Sequence, residues 1–317
     1  MSRNIGVVMD TIARIKIRKD STFAMLLAAQ ARDWQIWYME PGDLWSANGR
    51  SHARMRRLTV QDRDDDWFRL LEEHVAPLDE LDAILMRKDP PFDIEYITLT
   101  YLLDDAERRG TLVVNHPASL RDNNEKVAAT LFPDCCPPTL IANDRSRFLE
   151  FLEEHGDIVV KPLDTMGGES VFRIRRDDPN TNVILETITQ HDRRAVMAQR
   201  FIPEISTGDK RILLVDGEVV PYALARIPRE GELRGNLAAG GTARGVPLTE
   251  RDAWIARRIG PYLREQGVLF AGIDVIGDYL TEINITSPTC IRELDAAFGM
   301  DIAGDLMAVI EARLSAS

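Results

Sequence analysis

Between Ala271 and Pro288 the chain reads AGIDVIGDYLTEINITSP, and Asp274, Glu282 and Asn284 within it carry hard oxygen atoms. Glu282 and Asn284 stand two apart, so on a strand their side chains leave one face. A hairpin turning at Gly277–Asp278 brings Asp274 to that face if its loop holds three residues, Gly277, Asp278 and Tyr279, pairing Asp274 with Glu282. A two-residue turn instead pairs Ile273 with Glu282 and sends Asp274 to the far side. Two carboxylates and an amide oxygen on one face suit Mg²⁺, with nucleotide phosphates completing the octahedron. The bland alternative is a solvated polar face, because short acidic patterns match by chance.

A second candidate is DIVVKPLDTMGGESV. Lys161 ends an apolar strand and points at a turn where Gly167 and Gly168 let backbone N–H groups approach an anion without a Cβ in the way. No G-x-x-x-x-G-K-[ST] loop occurs in the chain, and alone this stretch reads as a hairpin turn with a surface lysine. A third is AQRFIPEISTGDKRILLVDGEVVPYALAR. Gln199 to Ile202 form a strand end whose backbone can meet a flat heterocycle. Asp209 can bond ribose hydroxyls, and Arg211 and Arg226 on successive strands can converge on phosphate oxygens. Arginines at strand ends more often cover apolar surface with their stems. The stretch from Ile227 to Gly241, rich in Gly, Ala and Arg, reads as a long loop of the kind that serves as a lid.

The elements that must hold these groups alternate at first. NIGVVMD, QIWYM, LDAILMRKD and TLVVN read as strands. FAMLLAAQ, capped by Asp20 or Ser21, and IEYITLTYLLDDAERRG read as helices. That alternation predicts a parallel sheet with helices on its faces. KVAATLF and RSRFLEFLEEHG read as helices, separated by CCPPTLI. Strands dominate from Val196, interrupted by the helix AWIARRIGPYLREQG and closed by DIAGDLMAVIEARL. Boundaries are expected to give units over 1–121, 122–200 and 201–317.

Composition removes several function classes. Lys plus Arg number 39 and Asp plus Glu 51, so the net charge is −12. An acidic chain lacks the footprint for nucleic acid or anionic lipid. Three cysteines, two of them adjacent, make neither a disulfide framework nor a zinc site, and five scattered histidines suggest no catalytic pair. The N-terminus reads as a strand rather than a signal peptide, and no apolar run reaches the ~20 residues of a membrane span. A cytoplasmic protein is expected.

Singly each signal is weak, but their order is specific. A Lys, a Lys with a Gly turn, a hinge for a heterocycle, Asp-Lys-Arg, Arg, a Gly-rich loop and D…E-x-N together resemble the ATP-grasp superfamily. RKDPPFD, NHPASLRDNNEK, KPLDTMGG, GDKRILLVDGE, RGNLAAGG and LTEINITSPTCIRE resemble the bacterial glutathione synthetase family, from Ile5 to the last helix. The resemblance implies an α/β ATP-grasp fold with an N-terminal Rossmann-like domain, a central lid subdomain and a C-terminal catalytic subdomain.

It further implies ligation of γ-glutamylcysteine and glycine through an acyl-phosphate, with ATP, Mg²⁺ (or Mn²⁺) and a homotetramer. By position, Lys126, Lys161, Gly167, Gly168, Gln199, Phe201, Ile202, Asp209 and Lys210 would bind ATP, with Phe201 and Ile202 bonding adenine through their backbone. Asp274, Glu282 and Asn284 would bind metal. Arg226, Asn236 and Arg211 would face the reacting phosphoryl group. Ser287, Arg292, Gly240 and Gly241 would contact the peptide substrate, and Arg234 with Asn236 would reach down when the loop closes. Another ATP-grasp ligase (D-alanine–D-alanine or glutamate) and a synapsin-like nucleotide binder are the rival readings.

Overall fold

Aliphatic and β-branched runs pair early in the chain. The computed structural model describes residues 3–229 and 242–316. Its first sheet comprises β1 (Asn4–Val8), β2 (Gln35–Met39), β3 (Leu44–Ala47), β4 (Arg50–Val60), β5 (Phe68–Pro77), β6 (Ala83–Met86) and β7 (Leu112–Val114). The order is β3-β4-β2-β1-β6-β7, with β5 on β4. The centre β2-β1-β6-β7 is parallel as the alternation predicts, whereas β3, β4 and β5 add antiparallel strands. Helices α1 (Ser21–Gln30), α2 (Ile94–Arg108) and the short α3 (Pro117–Asp122) belong to this part. Asp20 caps α1 by accepting from Phe23 N at 2.6 Å, and Asp93 caps α2 by accepting from Tyr96 N at 2.9 Å.

The middle of the chain forms β8 (Thr139–Ala142), α4 (Arg145–His155), β9 (Asp157–Pro162), β10 (Phe172–Arg175), α5 (Thr181–Ile188) and β11 (Val196–Arg200). The sheet runs β10-β9-β11-β8, all antiparallel. Phe148, Leu152, Ile158, Val160 and Leu185 give it a core of its own. One expectation fails here, and one stretch carries more than its reading as a break. KVAATLF forms only a 3₁₀ turn, Ala128–Leu131, and the Pro-broken stretch contains β8.

The last sheet contains β12 (Asp209–Val215), β13 (Glu218–Ile227), β14 (Thr242–Pro247), β15 (Phe270–Ile276) and β16 (Tyr279–Asn284), in the order β14-β13-β12-β15-β16. RILLVDGEVV is two strands, because Asp216 and Gly217 both take positive φ (48° and 73°), as a tight hairpin turn requires. Helix α6 (Glu250–Glu265) packs beside this sheet, as does α7 (Ile291–Phe298) on β13 and β14, and both α7 and α8 (Ile302–Ala316) meet α1, with α8 also against β12. Leu306 and Ile310 of α8 share a core with Val7 of β1, Phe23 of α1 and Leu213 of β12.

Asn115 locks the junction. Its Nδ2 donates to the carbonyls of Phe270 (2.7 Å) and Ile285 (2.6 Å), while its Oδ1 accepts from the amides of Leu269 (2.9 Å) and Phe270 (3.0 Å). One buried side chain thus fixes the start of β15 and the exit of β16 against the N-terminal sheet. Among the described residues no helix is long and apolar enough to cross a membrane.

Candidate active site

The β15–β16 hairpin follows neither register considered from the sequence. Its turn has two residues, with Ile276 opposite Tyr279 and Val275 opposite Leu280, yet Asp274 stands opposite Glu282. A bulge at Thr281 supplies the extra residue and restores the pairing. Thr281 is itself tied down: its hydroxyl donates to the Asp274 carbonyl at 3.1 Å, and its own carbonyl accepts from Lys161 Nζ at 3.5 Å.

Pairing across β12 continues this face. Arg211 lies opposite Asp274, and Asp209 opposite both Ile276 and Arg226. Asp274 Oδ1 and Oδ2 accept from Arg211 Nε and Nη2, and Oδ2 also accepts from Arg226 Nη2 at 2.9 Å and from Asn284 Nδ2 at 3.3 Å. Arg226 also bonds Asp209, whose Oδ1 has no partner among the described residues, as is true of Arg226 Nε. Burial alone would push the Asp274 carboxyl up, but Arg211 and Arg226 outweigh it and hold the group well below the usual range. Burial pushes Asp209 up to about 6, with Arg226 opposing and Asp274 reinforcing. The guanidinium of Arg226 is stabilised in turn: its burial is outweighed by Asp209 and Asp274.

Two buried lysines arrive from outside this sheet. Lys161, at the end of β9, sits 3.5 Å from Glu282 Oε1, and Lys126 is 4.0 Å from the same oxygen. Lys126 also bonds Glu125 Oε1 and the Thr165 carbonyl, the latter at 2.7 Å. Its burial is outweighed by Glu282 and Glu125, which raise its pKa. Burial and the Glu282 charge push Glu125 up against the pull of Lys126. The backbone carbonyl of Glu125 accepts from Ile283 N at 2.8 Å, stitching the lysine's loop to β16.

These groups line one cleft of about 360 Å³. Lys126, Lys161, Gly167, Gly168, Gln199, Phe201, Ile202, Asp209, Arg211, Arg226, Asp274, Glu282, Asn284 and Ser287 all reach it. Gly167 and Gly168 both have positive φ (69° and 77°), a conformation that side chains rarely adopt. Phe201 spends its N–H on the Asp157 carbonyl (2.9 Å), so of its backbone pair only the carbonyl can serve a ligand. The Phe201 ring packs under the Arg173 guanidinium, 3.5 Å from its centre.

Two expected site residues are elsewhere. Strand alternation sends Lys210 to the opposite face of β12 from Asp209 and Arg211, where it pairs with buried Asp252 of α6 at 2.5 Å. Arg292 is held by Asp62 at 2.7 Å and lies over the Phe23 ring, away from the cleft lining. Asn236, Gly240, Gly241 and Arg234, with most of the loop read as a lid, lie outside the described residues. Glu125, Arg87 and Asn115 were missed as single residues. Adjacency to Lys126 could have marked Glu125, but the partners of Asn115 are more than 150 positions away, beyond any local signal.

Lysines, arginines and hard oxygen atoms crowding one cleft can bring two anions together and stabilise charge that develops on a transferred phosphoryl group. Two family models match the chain: prokaryotic glutathione synthetase, N-terminal domain, over residues 4–121, and prokaryotic glutathione synthetase, ATP-grasp domain, over 125–299. A glutathione synthetase of Pseudomonas aeruginosa is 60% identical over 316 residues, covering all of both chains. One of Escherichia coli K12 is 56% identical over 310 residues, covering 98% of each. Among solved structures, the D-cycloserine synthetase DcsG matches with a TM-score of 0.68 at 13% identity, covering 98% of this chain and 99% of that one. The ATP-grasp ligase PsnB, in a complex with a minimal precursor, Mg and ADP, matches at 0.61 and 16%, covering 98% of each. These last two establish likeness of fold.

Proposed function

The chain belongs to the prokaryotic glutathione synthetase family and makes glutathione by ATP-dependent ligation. On that premise we propose that the cleft phosphorylates the cysteinyl carboxylate of γ-glutamylcysteine and holds the acyl-phosphate for attack by glycine. The rival ATP-grasp ligases and the synapsin-like binder are not favoured beside relatives this similar over the whole chain.

The observation that carries the residue roles is the convergence of four cations from separate elements on one cleft: Lys126, Lys161, Arg211 and Arg226. A carboxylate is a poor electrophile until its oxygen becomes a phosphate leaving group, which brings an anion up to a tetra-anionic nucleotide. Dense local positive charge removes that repulsion. Lys126, Lys161 and the glycines of the 167–168 turn bind the phosphates. The Phe201 carbonyl and the Ile202 amide present an acceptor and a donor to the adenine edge. Arg211 and Arg226 face the reacting phosphoryl group.

The residues present fit a divalent cation. Glu282 offers a carboxylate in the cleft. Asn284 spends its amide N–H on Asp274, which leaves its oxygen for a metal. Asp274 enters through Oδ1, which carries one hydrogen bond against three on Oδ2. We assign these oxygens to Mg²⁺, which when bound would neutralise phosphate charge. A homotetramer in the cytoplasm is proposed on the resemblance alone, and sedimentation tests the assembly. The activity is tested by following phosphate release from ATP with a panel of acceptors. Release that needs both γ-glutamylcysteine and glycine supports the reading; release with D-alanine alone overturns it.

A further inference from the structure

Among the described residues, the N-terminal part contributes Asp89 and Pro90 to the cleft, which the Thr286–Cys290 stretch leaving β16 also lines. Asp89 is exposed and follows two cations, yet neither pairs with its carboxylate. Lys88 turns to Asp10 Oδ1 at 3.1 Å and to the Asp89 backbone carbonyl. Buried Arg87 donates Nε to Thr22 Oγ1 at 3.1 Å and Nη2 to the Pro288 carbonyl at 2.9 Å. Among the described residues, the Asp89 carboxylate has no hydrogen bond or ion pair, although two cations precede it directly.

Its backbone, in contrast, is fixed. Asp89 N donates to Asp10 Oδ2 at 3.1 Å, and Arg87 N to the Val8 carbonyl at 2.8 Å. Arg87 thereby ties three things together: the end of β6, the first turn of α1 and the Pro288 wall of the cleft. Among the described residues no carboxylate lies within ion-pair distance of it. Burial pulls its pKa down, while the fields of Asp89 and Asp20 act the other way. A buried cation held by neutral acceptors costs stability and does not help as a pure packing element. Its placement makes sense as a brace that keeps the Asp89 wall and the Pro288 wall at a set separation.

Four other carboxylates of the cleft, Glu125, Asp209, Asp274 and Glu282, each lie against a lysine or arginine, whereas that of Asp89, on a fixed loop, is unspent. The substrate supplies the missing charge. With its cysteinyl carboxylate against Arg211 and Arg226, γ-glutamylcysteine carries its ammonium group at the opposite, γ-glutamyl end. We propose that Asp89 recognises this α-ammonium, and that Arg87 is a positioning residue for that contact. The inference rests on the function proposed above and names a specificity determinant within it.

The test compares γ-glutamylcysteine with N-glutarylcysteine, which has the same skeleton without the amino group, in the wild-type enzyme and in Asp89→Asn. The wild type is expected to favour the natural dipeptide in kcat/KM by about tenfold or more, as a lost charge-assisted contact implies. Asp89→Asn is expected to bring that ratio close to one, while KM for ATP stays within about twofold. Arg87→Lys is expected to raise KM for the dipeptide with kcat and KM for ATP little changed. Unaltered discrimination in Asp89→Asn, or an equal loss of kcat/KM for both substrates, overturns the proposal. A wild type that uses neither compound overturns the parent function itself, so the two failures are told apart.

Discussion

Arg211 grips Asp274 at two points across neighbouring strands, Nε to Oδ1 at 2.5 Å and Nη2 to Oδ2 at 2.9 Å, with both side chains under a tenth exposed. Arg226 reaches the same carboxylate from β13's side and shares itself with Asp209. Two guanidinium groups that would repel each other are therefore set in place before any anion arrives. A preformed array of this kind avoids reorganisation at the moment of reaction.

This cluster gives a pH signature. Asp209 has a folded-state pKa of about 6, above its unfolded value. Between roughly pH 4 and 6 the native state keeps a proton that the unfolded chain has lost, so this group's contribution to stability falls as pH rises. Asp209→Asn removes the titration. The unfolding free energy of wild type minus variant is expected to decline by up to about 3 kcal/mol across that window and to stay level above it. Denaturant melts at several pH values measure it, and a flat difference would refute the assignment. Asp274, held low, acts in the opposite sense: its contribution survives until pH drops below the ordinary carboxylate range.

Glu282 is the carboxylate that both lysines approach, and it is only partly buried, so its replacement spares the fold. Glu282→Gln keeps the shape and removes the charge. Turnover at ordinary Mg²⁺ is expected to drop by about a hundredfold or more, with thermal stability close to wild type. Near-normal turnover would mean that the hairpin face is merely solvated.

Some of this site was legible before folding. The period of two placed Glu282 and Asn284 together, and the glycine pair after Lys161 signalled a backbone that approaches an anion. The pairing of Asp274 with Glu282 depended on a bulge at Thr281 that leaves no mark in residue type, because a threonine fits a regular strand equally well. Lys210 was misplaced for a simpler reason. In D-K-R the flanking residues face the cleft, and alternation forces the middle one to the back. The long hairpin β4–β5 and the strands β8 and β14 escaped notice because polar residues, prolines and glycines dilute the apolar alternation that signals a strand. Asn115 and Arg87 act across the whole chain, and only the tertiary structure reveals them.

Lys161 ends β9 with its ammonium 3.5 Å from Glu282 Oε1 and beside the glycine turn. Lys161→Ala is expected to weaken ATP binding by about 2–3 kcal/mol, or roughly 30- to 150-fold in Kd, as for a charge-assisted contact in a partly dry site. Calorimetry with ATP and Mg²⁺ reads this directly. An unchanged affinity would remove the lysine from the phosphate clamp.

Gly272 offers a test of whether arginine placement, rather than arginine charge, limits the reaction. It lies two residues before Asp274 on β15, beneath the Arg211 stem. A Cβ built there would sit 2.8 Å from Arg211 Cδ, closer than real Cβ contacts come, and 3.1 Å from Pro288 Cβ, which is tight. The arginine stem is flexible and can yield, so the fold should survive at a cost of about 1–3 kcal/mol, typical of overpacking. The two-point grip on Asp274 cannot survive unchanged, because Arg211 must shift to admit the methyl group. Gly272→Ala is therefore expected to lower kcat by about 10- to 100-fold, as misplacement of a reacting group by an ångström does. ATP affinity should hold, since Lys126, Lys161 and the adenine hinge lie on other elements. A folded variant with normal kcat would show that the exact seat of Arg211 does not matter to phosphoryl transfer.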